Sequence, residues 1–375
     1  MSRSTPLPAA PDTGTKDPPF FRKDIAAVLA IMTAAALVKL AYFLELRSSP
    51  LAGTLILDEN LYFHYAEKIS QYAELPRLHA FPLYPYLLGG AFALIGPGIG
   101  AARLLNMAAG TGSLCLLYIL GQRYLPRPAP LIAVLAAAFY GPFLMNEGMI
   151  CAEGILGFIL LASVCLLSRI RPQTSLSRTA VFAVPAGLLT GIFLLGKAHV
   201  LLSAAGVCVW FLLRRQRPLP ERIGAVALWI LPIILVLAVK GLLTFQHTGE
   251  FRVWPTHGGI NFYIGNNPES TGTLSPPRGV RRTLPGMMQD ARRIAEERLN
   301  RKLTPEAASA YWFEKGVRFI REHPLAWAEL FFKKLLLFWN GADLDDIKTL
   351  SVERRFSYAL NVTFLDFFIL APFML

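Results

Sequence analysis

The chain has 375 residues, of which 54% are hydrophobic and only 17% are charged, whereas about a quarter of an average soluble domain is charged. Together with a mean hydropathy of +0.44, this composition excludes an ordinary soluble enzyme, and it excludes disorder outside the chain ends. The net charge of +12 suggests a nucleic-acid partner at first. Most of the arginines, however, lie in short loops between apolar segments or in one long loop, so no nucleic acid is expected as a partner. The sequence predicts an all-α polytopic membrane protein.

Apolar segments of roughly the length that a bilayer requires, about 20 residues, follow a tail that is rich in Pro, Ser and Thr. This tail, residues 1–23, is predicted to be disordered and cytoplasmic. An eighth segment, Ser357–Leu375, runs into the last residue, so the chain is predicted to be C-terminally truncated. The seven complete spans are predicted at Ile25–Leu46, Gly100–Leu120, Ala129–Met145, Ile150–Ser168, Thr179–Gly196, Ala198–Leu213 and Ile223–Phe245.

Lysine and arginine fill alternate short loops, and the positive-inside rule then places the N-terminus in the cytoplasm. Both long segments between spans fall on the outer side. The predicted organisation is a seven-span bundle over 24–245 that includes a first outer loop at 47–99. It continues with an outer loop with helices at 246–324, and with an interfacial helix and a truncated span at 325–375.

The outer loops contain helical patterns of their own. Apolar residues recur at helical spacing behind Asp58, which predicts an amphipathic helix lying in the membrane interface. Phe81–Ile95 is apolar but too short to span and is predicted to be a partner helix. In the second outer loop, Thr304-Pro305-Glu306 predicts a helix start and Pro324 a helix stop.

Ionisable residues close to the membrane core are costly and are therefore candidates for function. Nearly all of them gather on the outer side of the predicted bundle. Cations for a phosphate and carboxylates for proton transfer or a metal would suit a phosphate-bearing lipid headgroup. The candidates are Asp58, Glu59, Arg103, Glu147, Glu153, Lys197 and His199.

Each carboxylate also has a structural interpretation. Asp58 could be the N-cap of the helix that it precedes, and Glu59 could be a first-turn partner of the helix dipole. For Glu147 a solvated turn is the favoured interpretation. Glu153 is harder to explain in this way, because it begins an otherwise apolar helix.

The cations have structural alternatives as well. Lys197 and Arg103 could extend to lipid headgroups without a specific role, and His199 could be a structural histidine. Lys39 and Lys240 are expected to reach the headgroups or to pair, and they are left out of the candidate site.

Several motifs together resemble the C-type (GT-C) glycosyltransferases, polytopic membrane enzymes that use polyprenyl-phosphate sugars. The branch that the chain resembles is the bacterial one related to protein O-mannosyltransferases and to the lipid A aminoarabinose transferase. The resemblance covers almost the whole chain from the first span onward. Its motifs are Leu57-Asp58-Glu59 with Tyr62, Tyr65 and Ala66, then Pro82-Leu83-Tyr84-Pro85-Tyr86-Leu87-Leu88, Ala102-Arg103-Leu104-Leu105-Asn106, Glu153, Gly191 to Lys197, and Gly258-Gly259-Ile260-Asn261-Phe262-Tyr263-Ile264-Gly265-Asn266-Asn267-Pro268.

The resemblance implies a GT-C-like bundle in the bacterial inner (plasma) membrane with its active site at the periplasmic face. A sugar would leave its polyprenyl phosphate for a lipid, glycan or protein acceptor, with membrane lipids as further partners. It also implies roles for individual residues. The acidic pair Asp58 and Glu59 would be catalytic, with Asp58 as base or acceptor-orienting carboxylate, and Glu153 and Glu147 would be the acceptor-binding or auxiliary acids. The donor phosphate would be bound by Lys197, Arg103 and His199. The rings of Tyr62 and Tyr65 would stack on the sugar or the prenyl chain.

The chain departs from this family in one motif. The turn after the third predicted span reads Asn146-Glu147-Gly148 in place of a metal-binding Asp-X-Asp motif, so no cofactor is predicted with certainty and a divalent cation is left open. Two other functions remain as alternatives, a transporter or flippase of lipid-linked oligosaccharides and a non-catalytic membrane assembly partner. The overwhelmingly apolar middle of the spans counts against transport.

Overall fold

The computed structural model describes residues 24–50, 52–72, 83–339 and 347–363, and every regular element in these ranges is helical. Two short 3₁₀ turns, Ala198–Val200 and Arg354–Phe356, supplement the α-helices. The α-helices are α1 (Ile25–Ser48), α2 (Asp58–Tyr72), α3 (Leu83–Ile95), α4 (Ile99–Tyr124), α5 (Ala129–Ala138), α6 (Gly141–Gly148), α7 (Glu153–Leu167), α8 (Leu176–Leu194), α9 (Leu201–Leu212), α10 (Leu219–Thr248), α11 (Gly258–Gly265), α12 (Leu284–Leu299), α13 (Pro305–Glu322), α14 (Pro324–Phe338), α15 (Leu350–Glu353) and α16 (Tyr358–Val362).

Four of the described helices, α1, α4, α8 and α10, are long and apolar enough to cross a membrane. The pair α6 and α7 passes the same test together, although the two helices are bent by 117° at the break between them, so five crossings result if this pair counts as one. The prediction of an all-α membrane protein is therefore confirmed.

Two of the predicted spans are not single long helices. The predicted span Ala129–Met145 is divided into α5 and α6, because Pro142, which lacks a backbone N–H, occupies the first turn of a new helix. The predicted span Ala198–Leu213 begins as a 3₁₀ turn and continues as the 12-residue helix α9, which is shorter than a bilayer crossing. By length and apolar composition alone, four or five of the described helices qualify as crossings, and the shorter α5 and α9 do not; the seven-span bundle stays a prediction.

Close packing of helices positions the site end of the bundle. A Cβ atom at Gly187 of α8 would lie 2.2 Å from the carbonyl oxygen of Trp229, so only glycine lets α8 and α10 approach this closely. A Cβ atom at Gly196 would lie 2.5 Å from a methyl group of Leu156. The segment after α8 is therefore held tightly against α7.

The loop between α1 and α4 forms the helical pair that the sequence predicts. The helix behind Asp58 is confirmed as α2, and the short apolar partner is α3. A Cβ atom at Gly89 of α3 would lie 2.7 Å from the side chain of Ile69, so α2 and α3 are in direct contact. This contact fixes the direction of α2 and with it the position of Asp58.

The second long loop forms its own small core, in which Ile260, Met287, Ala291 and Trp312 are buried together. The indole of Trp312 donates a hydrogen bond of 2.9 Å to the carbonyl of Ala291. The predicted limits of α13 are confirmed: the hydroxyl of Thr304 accepts from the backbone of the first turn, and the helix ends at Glu322.

Two predictions fall on other parts of the chain. The tail at 1–23 and most of the predicted eighth span, from residue 364 onward, lie outside the described residues. Within the described start of that segment, α16 is a helix of five residues.

Candidate functional site

Four segments that are distant in sequence meet at one end of the helical bundle. Glu153, the first residue of α7, forms a 2.9 Å ion pair with Lys197, which follows α8, and both side chains are partly exposed, 49% and 38%. The carboxylate of Asp58 lies close enough to act on the pKa of Lys197 and of Tyr62. We call these four residues, together with His257 from the second long loop, the ionic centre.

Asp58 owes its position to a sharp change in backbone direction. Leu57 adopts a left-handed conformation with φ of 48°, which is rare for a residue with a branched side chain and costs conformational energy. Helix α2 begins at the next residue, so Asp58 and Glu59 both lie in its first turn. Backbone strain of this kind is concentrated at functional sites, where the surrounding structure maintains it.

Opposing influences determine the pKa of Lys197. Burial lowers the pKa of its ammonium group, but the carboxylates of Glu153 and Asp58 raise it by more, so the overall shift is upward. Lys197 therefore stays positively charged at neutral pH, and the centre contains a fixed positive charge between two carboxylates.

Tyr62 and His257 are held in their neutral forms at the same place. Burial raises the pKa of the Tyr62 phenol, and the carboxylates of Asp58 and Glu153 raise it further. Burial lowers the pKa of His257 to about 4, and the charge of Lys197 adds to this effect. His257 is a member of the centre that the sequence did not identify; the only signal was its position directly before the Gly258-Gly259 motif.

Glu59 belongs to a neighbouring buried cluster. Its side chain is 1% exposed, accepts a 3.1 Å hydrogen bond from the backbone of Ile150, and pairs with Lys348 at 3.1 Å. Burial raises the pKa of the adjacent Glu353, Lys348 lowers it in part, and Glu59 raises it again. These contacts hold the segment before α7 in place. The catalytic role of Glu59 stays a prediction, and nothing in the sequence indicated its partner Lys348.

Arg103 is also engaged in structural contacts. Its guanidinium donates to the carbonyl of Gly148 at 3.0 Å and to that of Ala52 at 3.3 Å, and the residue is only 3% exposed. Two of its five N–H donors are therefore already engaged by backbone carbonyls. His199, the other predicted phosphate ligand, is exposed and lies edge-to-face against Phe193, 6.0 Å between ring centroids.

The interpretation of Glu147 as a solvated turn residue is wrong. The predicted turn is helix α6, and Glu147 is buried within it, 6% exposed, paired with Lys39 at 2.9 Å. Lys39 also donates to the hydroxyl of Thr111 at 3.2 Å. The break before Pro142 reorients the chain so that the carboxylate points inward, which explains why Lys39, left out of the predicted site, is its partner.

The two tyrosines of α2 that were predicted to stack on the ligand, Tyr62 and Tyr65, differ in their surroundings. The ring of Tyr62 packs edge-to-face on Tyr84 with 5.2 Å between centroids, next to the ionic centre. Tyr65 is half-buried, and this burial raises the pKa of its phenol. Tyr62 is thus the better placed of the two to contact a ligand of the centre.

Two cavities each have one residue of the ionic centre in their wall. One, of about 490 Å³, lies among α4, α5, α6 and α7 and includes Glu153 in its wall; we call it the membrane cavity. The other, of about 230 Å³, lies in the second long loop, where His257, Gln289, Arg292 and Trp312 line it; we call it the outer pocket. An apolar space and a more polar space thus each border the ionic centre.

The ionic centre does not fit a divalent cation. Among the residues that the structure describes, no group of three or more His, Cys, Asp and Glu side chains could hold a metal ion. In addition, Lys197 already neutralises the carboxylate of Glu153. We therefore assign no step to a metal.

The chain matches no protein-family model. It also has no match among curated proteins. The geometry of the site therefore has to support any functional assignment.

Proposed function

We propose that the chain is an integral-membrane glycosyltransferase that moves a sugar from a polyprenyl-phosphate donor to a hydroxyl group of a lipid, glycan or protein acceptor. The observation that carries the proposal is the ionic centre, in which four segments bring two carboxylates, a charged lysine and a neutral histidine together beside an apolar and a polar cavity. Buried or half-buried groups with opposed charges and shifted pKa values are typical of active sites.

In the proposed reaction the acceptor oxygen forms a bond to the anomeric carbon while the bond from that carbon to the phosphate oxygen breaks. Asp58 takes the proton from the attacking hydroxyl. Lys197 donates to the departing phosphate, whose negative charge grows as the bond breaks. An ammonium group has three N–H donors, of which Glu153 takes one, and preorganised charge of this kind usually contributes more to catalysis than any other single effect.

The remaining residues would position these groups. Glu153 orients the ammonium of Lys197, and Tyr62 offers a ring face and a neutral phenol beside Asp58. The outer pocket combines the aromatic ring of Trp312 with polar side chains that include His257, Gln289 and Arg292, and a wall of this kind suits a sugar. Arg103 and Glu59 act through the backbone that they hold, as positioning residues.

The proposed location follows from the charge of the loops. Arginines fill the short loops at the end of the bundle opposite to the ionic centre, and such loops are normally cytoplasmic. We therefore propose a cytoplasmic N-terminus and an ionic centre on the outer side of the membrane, which the resemblance to the bacterial GT-C enzymes implies is the periplasmic side of the inner membrane.

The test is the substitution Asp58→Asn in the full chain, reconstituted in vesicles with radiolabelled polyprenyl-phosphate hexoses and pentoses. We expect sugar transfer to fall by about 10²-fold or more, a magnitude common for a lost general base, with binding of the labelled lipid retained. Glu67→Gln, on the same helix, removes a carboxylate outside the ionic centre and is expected to leave transfer unchanged. Unchanged transfer by Asp58→Asn would contradict the assignment. If the wild-type protein moved labelled lipid between the leaflets but transferred no sugar, the glycosyltransferase assignment would be replaced by that of a lipid transporter.

A further inference from the structure

The membrane cavity has the size and the composition of a binding site for an amphiphile. Its volume of about 490 Å³ falls within the usual range for ligand sites, about 300 to 1,000 Å³. Most of its wall is apolar, with Leu114, Leu117, Leu160, Leu161 and Val164 along α4 and α7. Its polar side chains are few: Lys39, Asn146, Glu147 and Glu153, with the hydroxyl of Ser113 on α4. A hydrocarbon chain with one polar head matches this division.

Glycine residues leave the space open. A Cβ atom at Gly154 or at Gly157 of α7 would meet no other atom within 4 Å, so these two positions border empty space. Gly110 on α4 has the opposite role, because a Cβ atom there would lie 1.8 Å from a carboxylate oxygen of Glu147. Gly110 therefore admits the Glu147 side chain to the cavity wall, while Gly154 and Gly157 leave room beside it.

The polar end of the cavity requires a hydrogen-bond donor. Oε1 of Glu147 accepts from Lys39 at 2.9 Å, whereas Oε2 is buried without a hydrogen-bond partner in the described part of the chain. A buried carboxylate oxygen without a partner is costly. The head group of a ligand that carries a hydroxyl would satisfy it.

The charges at this end disfavour a phosphate. Lys39 is the cation in the wall of this cavity and is already paired with Glu147, so an anion would meet the carboxylates of Glu147 and Glu153 there without a free cation from the wall. An ionised phosphate ester accepts hydrogen bonds and brings no donor to Oε2 of Glu147 at neutral pH. An uncharged head with a hydroxyl group avoids both costs.

We propose that the membrane cavity binds the hydrocarbon chain of a lipid with an uncharged, hydroxyl-bearing head group, and that this hydroxyl donates to Oε2 of Glu147. The lipid is therefore not the phosphate donor. The binding stands on the geometry alone. Only the role of this lipid as the sugar acceptor, reached through Glu153, rests on the proposed function.

Photolabelling of the full chain in phosphatidylcholine vesicles tests the binding. The probes carry a diazirine in the chain and are a long isoprenyl alcohol, its monophosphate, and a monoacylglycerol. We expect the alcohol to label α4 and α7 about tenfold more than the monophosphate does, which corresponds to about 1.4 kcal/mol. The ratio of isoprenyl alcohol to monoacylglycerol shows whether the chain is branched or straight. Equal or stronger labelling by the monophosphate would overturn the proposal.

Two variants locate the site. Gly157→Phe fills the cavity and is expected to reduce labelling by about tenfold, whereas Gly206→Phe, at an exposed position of α9 where a Cβ meets nothing within 4 Å, should leave it unchanged. In the double variant Lys39→Gln with Glu147→Gln, both charges disappear together, and the preference for the alcohol over the monophosphate should disappear as well. Equal labelling of Gly157→Phe and Gly206→Phe, or an unaltered preference in the double variant, would overturn the proposal.

The outcome is distinguishable from failure of the proposed function. Asp58→Asn should abolish transfer and keep normal labelling by the alcohol. A wild-type protein that is labelled as expected and transfers no sugar would refute the glycosyltransferase and leave the lipid site in place.

Discussion

The ionic centre and the arginines Arg123 and Arg214 at the opposite end of the bundle use charge differently. At the end opposite to the ionic centre, arginines donate to backbone carbonyls: Arg123 to Ser168 at 2.9 Å, and Arg214 to Ile170 at 2.8 Å. The last carbonyls of a helix have no partner within the helix, so these arginines complete helix ends. In the ionic centre, charged side chains face one another instead. An arginine that donates to backbone carbonyls stabilises the fold. Ionisable side chains that shift one another's pKa values are instead typical of an active site.

The largest expected effect is on sugar transfer, when the charge of Lys197 in the ionic centre is removed. Lys197→Gln removes the positive charge of the ionic centre, and we expect transfer to fall by about 10²- to 10³-fold, the usual cost of losing one preorganised donor to a developing anion. Because the side chain is 38% exposed, the variant should fold. The measurement is transfer of radiolabelled sugar per folded protein, with folding checked by thermal unfolding in detergent.

The matched control for this variant is Arg215→Gln. Arg215 is exposed at the opposite end of the bundle, and the same loss of a single positive charge there should leave transfer unchanged. If the two variants lost activity equally, net charge and not the ionic centre would account for the effect of Lys197.

The second prediction concerns stability without activity. Arg217 is 5% exposed and donates to the carbonyls of Arg171 at 2.9 Å, Pro172 at 2.8 Å and Thr174, and also to the hydroxyl of Thr179 at 3.1 Å. Arg217→Met removes the shared donor of the three carbonyls and of the buried Thr179 hydroxyl. We expect the free energy of unfolding to fall by about 3 kcal/mol.

The measurement for Arg217→Met is unfolding by denaturant or heat in detergent, followed by transfer per folded molecule, which should equal that of the wild type. Arg215→Met, the exposed neighbour, should change neither quantity. A folded Arg217→Met protein that had lost transfer would contradict the conclusion that Arg217 contributes to stability alone.

The sequence indicated much of this arrangement, because hydrophobic length and helix signals are local. It predicted α1, α4, α8 and α10, the helix behind Asp58, and the limits of α13. It could not predict the pairing of Lys39 with Glu147, because that pairing depends on the break at Pro142 and on the space left by Gly110.

Contacts between residues of different loops could not be predicted from the sequence either. His257 comes under the influence of Lys197, 60 positions earlier in the chain, only through the way the second long loop packs. Lys348 approaches Glu59 from the other side of the same region. Neither contact has a periodicity or a spacing that could reveal it, since both are fixed by tertiary packing.

The smallest expected effect is a pH dependence of stability that His257 causes. Burial and the charge of Lys197 lower the pKa of His257 from 6.5 to about 4. Between these two values the unfolded chain binds a proton that the folded chain does not. The contribution of neutral His257 is therefore complete above the unfolded pKa and is lost as the pH falls toward about 4. We expect the melting temperature to decrease by a few degrees more in the wild type than in His257→Phe between about pH 7.5 and about pH 4.5.

His199→Phe is the control, because this histidine is exposed and should leave the pH dependence as it is in the wild type. Lys197→Gln then links the two residues. Removing the positive charge beside His257 should raise the pKa of the histidine and narrow the interval of pH over which stability changes, whereas Arg215→Gln at the opposite end should not alter it. An identical pH dependence in Lys197→Gln and the wild type would mean that Lys197 and His257 do not interact, and the second long loop would then not belong to the ionic centre.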